Sequence, residues 1–147
     1  MIDPYGVVLA ALRADSAVAA IAGTRIGAEV GTLPCVVLVD LASTRIGRWG
    51  QYWTGVARCY AEDTPTGAIT ARQLAGAVSD ALDDHDAYRG TSLRMMLKAW
   101  SPTIDGLDRD PDTRWPLYTV TINGYFAAQT VPALTGFDLG FDLGFGA

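Results

Sequence analysis

Residues 33–84 constrain this chain more than any other stretch. Two strand-like segments, LPCVVLVDL and YWTGVARCYAED, run directly into a long amphipathic helix, TPTGAITARQLAGAVSDALDD. Such a succession demands a sheet that buries one face beneath the helix. The first strand, residues 34–41, is a nearly continuous apolar run of β-branched character, as expected for a strand covered on both faces or central in a sheet. The second, residues 53–61, alternates Gly55, Ala57, Cys59 and Ala61 with Val56, Arg58 and Tyr60, so its small-residue face lets a helix pack closely. The helix starts at Thr64 and Pro65, a cap followed by proline. Ala71, Leu74, Ala75, Val78 and Leu82 recur on its dry face, with Arg72, Gln73, Ser79, Asp80 and Asp83 on the other.

The flanks complete the frame. Asp3 caps a first helix that opens with Pro4 and buries Val8, Leu9 and Leu12. Asp15 and Ser16 then start a short continuation through Val18 and Ile21, stopped by Gly23. Residues 43–52, STRIGRWGQY, read as an exposed hairpin connection longer than a tight turn. Residues 91–100 alternate Leu93, Met95, Leu97 and Ala99 with polar neighbours, residues 101–113 form a loop, and residues 115–127 alternate Tyr118, Val120, Ile122 and Phe126 as a last long strand. These elements predict an α+β fold: a mainly antiparallel sheet of about four strands, two helices packed on one face, and an extended C-terminal tail. At 147 residues the chain makes one domain, read as residues 1–127, and residues 128–147 form an extension in which GFDL occurs twice in tandem.

Charge and motifs exclude several functions. The net charge is −5, and residues 80–112 carry eight acids against four bases, so no basic stripe exists to neutralise phosphates. Specific nucleic-acid binding is not expected; a channel through which DNA slides suits such a chain better. No run of 18 apolar residues and no basic segment before an apolar run occurs, so neither a membrane span nor a secretory signal is predicted. Cys35 and Cys59 sit in apolar strands, not in a metal-binding pair, and are expected to be reduced core thiols. Asp108, Asp110 and Asp112 repeat the opening of a calcium loop, but Thr113 stands where its glycine belongs and Thr119 where its glutamate belongs. His85 has no nucleophile in a matching context, and neither G-x-S-x-G nor a phosphate-binding glycine motif is present. The chain is therefore expected to be no enzyme and to need no metal or cofactor.

What remains is surface. Arg45, Arg48, Trp49, Tyr52 and Trp53 crowd the connection between the two strands, and Arg and aromatic residues are the types enriched in interface hot spots. The competing reading is that Trp49 and Trp53 cap the edge of the core. Phe137, Phe141 and Phe145, spaced by four in the glycine-rich tail, either fill pockets on a neighbouring subunit or stay disordered. Asp105, Asp108, Asp110 and Asp112 are expected to face solvent or a lumen.

Taken together, GTRI at 23–26, LPCVVLVDL at 33–41, GVARCYAED at 55–63, the helix ending AVSDALDD and the strand after DPDTRWPLY resemble the tail terminator, or tail completion, proteins of long-tailed bacteriophages, over about residues 4–127. The resemblance implies a structural virion protein, assembled in the bacterial cytoplasm, that forms a ring, usually of six subunits, on the head-proximal end of the tail tube. Its partners would be other copies of itself, the tail tube protein and a neck or head-completion protein, with DNA passing through the lumen unbound. Another head-tail connector is the nearest alternative, and a small cytoplasmic ligand-binding module a more distant one. The GFDL tail has no counterpart in the family pattern.

Overall fold

A computed structural model describes residues 3–46, 50–83, 93–95 and 102–128. In chain order these form α1 (Pro4–Ala14), α2 (Ser16–Ala22), β1 (Ile26–Gly27), β2 (Cys35–Ile46), β3 (Gly50–Tyr60), α3 (Gly67–Asp83), β4 (Leu93–Met95), β5 (Thr103–Ile104), β6 (Asp108–Arg109) and β7 (Pro116–Ala128). The sheet order is β1-β2-β3-β7-β4, with β5 and β6 also paired to β7. Every pairing is antiparallel except that of β1 with β2, so the fold is α+β with a mixed sheet.

Local chemistry explains the helix boundaries. The Asp3 carboxylate accepts from the Gly6 N–H at 3.2 Å, and Pro4 occupies the position where a missing donor costs nothing. Asp15 then serves two helices: its N–H donates to the Leu12 carbonyl at the end of α1, while its side chain accepts from Val18 N–H at the start of α2. One residue thus ends α1, begins α2 and turns the chain through 79°. Gly23, at φ 61°, closes α2 in the left-handed region that glycine enters without strain.

All three helices contribute to one face of the sheet. Val8 and Leu12 of α1, Val18 and Ala22 of α2, and Leu74, Ala75, Val78 and Leu82 of α3 enclose Val36, Leu38, Ala57, Cys59, Val120 and Ile122. Each fully buried leucine here contributes about 1.5–3 kcal/mol of transfer free energy. A smaller cluster lies on the opposite face, where Cys35, Val37, Tyr60 and Leu117 pack with Leu33, Val39 and Trp115; the Tyr60 and Trp115 rings meet edge to face at 6.3 Å.

Three expectations change. Residues 43–46 and 50–52 are not part of a long connection but the paired ends of β2 and β3, with Ile46 opposite Gly50. The pairing prevails over the glycine-rich composition because ladder bonds continue on β3's other side, where Gly50 faces Ala127, and because the Gln51 amide donates to Ser43 Oγ at 2.7 Å. Likewise the predicted loop 101–113 contains β5 and β6, two short stretches that satisfy the outer edge of β7 without any apolar alternation to announce them. α3 also begins two residues later than the Thr64 and Pro65 signal, after a turn in which Gly67 N–H donates to the Thr64 carbonyl.

Trp53 closes the core beyond the helices. Its indole lies over Gly55, where an added Cβ would collide with the ring and come within 2.8 Å of the Val39 carbonyl oxygen. Its Nε1 donates to Asp40 Oδ1 at 2.7 Å. Replacing Trp53 by alanine is expected to cost about 3–5 kcal/mol in urea unfolding, and Gly55→Ala about 1–3 kcal/mol through overpacking. Equal stability of Gly55→Ala and the wild type would contradict this packing.

Candidate assembly interface

Among the described residues, the predicted interface residues do not form one patch. In a strand, neighbouring side chains point to opposite faces. Trp53 therefore enters the helix-covered core at 2% exposure, while Tyr52 lies on the other face at 39%. Of the two readings offered for Trp53, the structure places it in the core, because its ring is enclosed within its own subunit. Tyr52 stands in register with Thr44 on one side and Tyr125 on the other. Arg45 is exposed on β2, in register with Gln51. Arg48 and Trp49 lie outside the described residues, as do His85, Phe137, Phe141 and Phe145.

The acidic residues do local work. Asp105 N–H donates to the Thr119 carbonyl at 2.9 Å and so ties the chain between β5 and β6 to β7. The Asp108 carboxylate accepts from Arg109 N–H. Asp110 shapes the turn before β7: its Oδ1 accepts from the N–H groups of Thr113 at 3.0 Å and Asp112 at 2.9 Å, while Arg114, at φ 66°, returns its N–H to the Asp110 carbonyl. Those bonds, Thr113 first, hold the Asp110 carboxyl below the ordinary aspartate range. Arg109 fastens the turn to the end of β3 by pairing with Asp63 at 3.1 Å and donating to the Arg114 carbonyl at 3.1 Å. As an exposed pair it is worth about 0–1 kcal/mol. Asp105, Asp108 and Asp112 are exposed and Asp110 is half-buried. No three potential ligands converge on a metal position among the described residues.

Cys35 and Cys59 lie on opposite faces of the sheet, which separates their thiols although their strands are neighbours. Burial pushes the Cys59 thiol up to about 12 and raises that of Cys35. Neither is a nucleophile near neutrality.

What the sequence did not reveal is the apolar character of the two sheet borders. Leu41, on β2, is 55% exposed beside a register shift between Asp40 and Ala42. Val30 is 42% exposed in the segment joining β1 to β2. An open cleft of about 420 Å³, lined by Tyr5, Ala28, Leu38, Val39 and Asp40, runs along the same border, and the Tyr5 hydroxyl donates to the Leu38 carbonyl at 3.0 Å. On the other border Ile104 of β5 and Leu107 are 41% and 48% exposed, and α3, which touches β5, adds Ile69 at 47%. Exposed apolar residues become evidence of a contact surface where they adjoin one another, as a contiguous patch does. Leu41 was legible only as one more apolar residue of a buried strand, because its exposure depends on how far β1 extends.

The model of the tail completion protein gp17 family matches residues 6–123. No curated protein matches the chain. Among solved structures, a chain from the virion of a native gene transfer agent particle superposes with a TM-score of 0.59 at 22% identity, over 85% of this chain and 95% of that one. At that identity the likeness is one of fold.

Two outcomes check the chemistry of this surface. Because the Asp110 carboxyl is lowered in the folded state, its contribution to stability is full above the ordinary aspartate range and disappears as pH falls through its folded value. Asp110→Ala should therefore melt below the wild type at pH 7, and the gap should narrow in acid; a gap independent of pH would refute the turn's dependence on the charge. Iodoacetamide at pH 8 should modify neither cysteine in the native protein and both in urea, as read by mass.

Proposed function

Because this chain belongs to the tail completion protein gp17 family, we propose that it forms a closed ring on the head-proximal end of a phage-type tail tube, ends tube growth there and presents a surface to the neck. Membership makes it a structural protein of the virion tail. The observation that carries the reading is the extent of the match: residues 6–123 run from α1 nearly to the end of β7 and include every element of the fold between them. The fold shared with a virion chain supports it.

The geometry is suited to a ring. A cyclic assembly uses heterologous contacts, in which one patch meets a different patch on the next subunit. The two sheet borders differ in the required way. One is the long strand β2 with Leu41, Val30 and the adjoining cleft, and the other is the broken border of β5 and β6 with Ile69, Ile104 and Leu107. We take six copies as the ring, the tube protein and a neck protein as its axial partners, and Arg45, Arg48, Trp49 and Tyr52 as contacts toward a neighbour or the tube. Exposed Asp105, Asp108 and Asp112 would repel DNA sliding through a lumen. We take residues 1–127 as the folded unit and residues 128–147 as an extension that serves assembly.

The test is native mass measurement followed by imaging with purified tail tubes. Closed rings of one stoichiometry, seated at one end of each tube, are expected. A monomer that persists at high concentration and ignores tubes would overturn the proposal. Leu41→Asp together with Ile104→Asp, both at exposed positions, should lower assembly at least tenfold while changing the melting temperature little.

A further inference from the structure

We propose that residues 137–145 of one copy add as a strand to the open outer edge of β2 in a second copy, a contact that rests on the ring reading and specifies one of its joints.

Among the described residues the edge is open over a defined length. β1 pairs with β2 only at Val36 and Val37, and no described residue forms a strand along the outer side of β2 from there to Ile46. Past β1, the Leu38 carbonyl is taken by the Tyr5 hydroxyl. Beyond it runs a row of backbone donors and acceptors, a template for another strand. The cleft of about 420 Å³ and exposed Leu41 lie along it and offer room for large apolar side chains.

The tail has a sequence that fits. Residues 137–145 read FDLGFDLGF, in which Phe137, Leu139, Phe141, Leu143 and Phe145 alternate with Asp138, Gly140, Asp142 and Gly144. A period of two with five large apolar residues on one side is the pattern of a strand with one dry face. A lone strand of this kind cannot bury that face; a sheet edge with an apolar cleft can. Lengths agree, since residues 38–46 and 137–145 are nine residues each and span roughly 30 Å. Charges agree as well. The tail's only charges are Asp138 and Asp142, and β2 sets no unpaired acid against them, since its one acid, Asp40, is engaged by the Trp53 indole. The register shift near Leu41 and the charge of Arg45 keep such an edge from pairing indiscriminately, which leaves it to a complementary strand.

The path is short enough. β7 ends beside the start of β3, Ala127 opposite Gly50, and eight residues separate Ala128 from Phe137. They reach at most about 30 Å when extended. An edge on one copy and a tail on the next are different patches, as closure of a ring requires.

The experiment uses the full-length chain. Thr44→Cys is combined in turn with Asp138→Cys, Gly140→Cys and Asp142→Cys, with Cys35 and Cys59 left in place because both are buried, and isotope-labelled and unlabelled copies are mixed before oxidation. At least one combination should give disulfides between labelled and unlabelled chains. In parallel, amide exchange over residues 39–46 should be at least tenfold slower in the wild type than in a Phe137→Ser, Phe141→Ser, Phe145→Ser variant. Disulfides confined within single copies would overturn the assignment to a second copy. Identical exchange in wild type and variant would overturn the docking altogether. Native mass separates the two levels: an intact wild-type ring with unchanged exchange removes this joint and leaves the ring, whereas a monomeric wild type removes both.

Discussion

The fold depends on β3 being paired along its whole length on both sides, with β2 from Gly50 to Tyr60 and with β7 over the same residues. Because β3 is central, its alternation sets the two faces of the sheet for every neighbour. Gly55, Ala57 and Cys59 point to the helices, and their lack of bulk is what lets α3 lie close, against β3 and β7. Val36, Leu38, Val120 and Ile122 then fall on the same face by register alone. Beyond the helices the face would be left uncovered, and Trp53 covers it by folding its ring over Gly55 and anchoring its N–H on Asp40.

The borders follow from the same arrangement. A central strand satisfied on both sides passes the problem of unpaired backbone outward, to β2 on one side and β7 on the other. Among the described residues, β7 is covered in pieces by β4, β5 and β6, whereas β2 is covered only at Val36 and Val37. The two borders therefore differ in length, continuity and apolar content. That asymmetry is what the proposed ring would use to join copies head to tail.

The helices, the central strands and their order were legible because their signals are local. Asp3 with Pro4 and Asp15 with Ser16 are caps that work through bonds spanning three or four residues. The buried stripe of α3 repeats at helical spacing for the same reason. The hairpin ends at 43–52 were misjudged because glycine and arginine composition describes a turn, while the ladder that overrules it comes from β7, more than sixty residues away in sequence. β5 and β6 were missed because two-residue strands carry no period at all. Family membership was legible from the residues that make the frame, and those are the residues that the family match spans.

The sequence by itself determined which segments form helices and central strands and that the thiols are core residues. Only the tertiary structure decided which of two adjacent aromatics is exposed. Tyr52 and Trp53 are indistinguishable as candidates in a linear reading, but the pleat sends one outward and the other into the core. It also decided that β2 carries an open edge, since that depends on where β1 stops. Local bonds and side-chain periods are written along the chain. Exposure and edge pairing are properties of what lies alongside, and they exist only once distant segments have met.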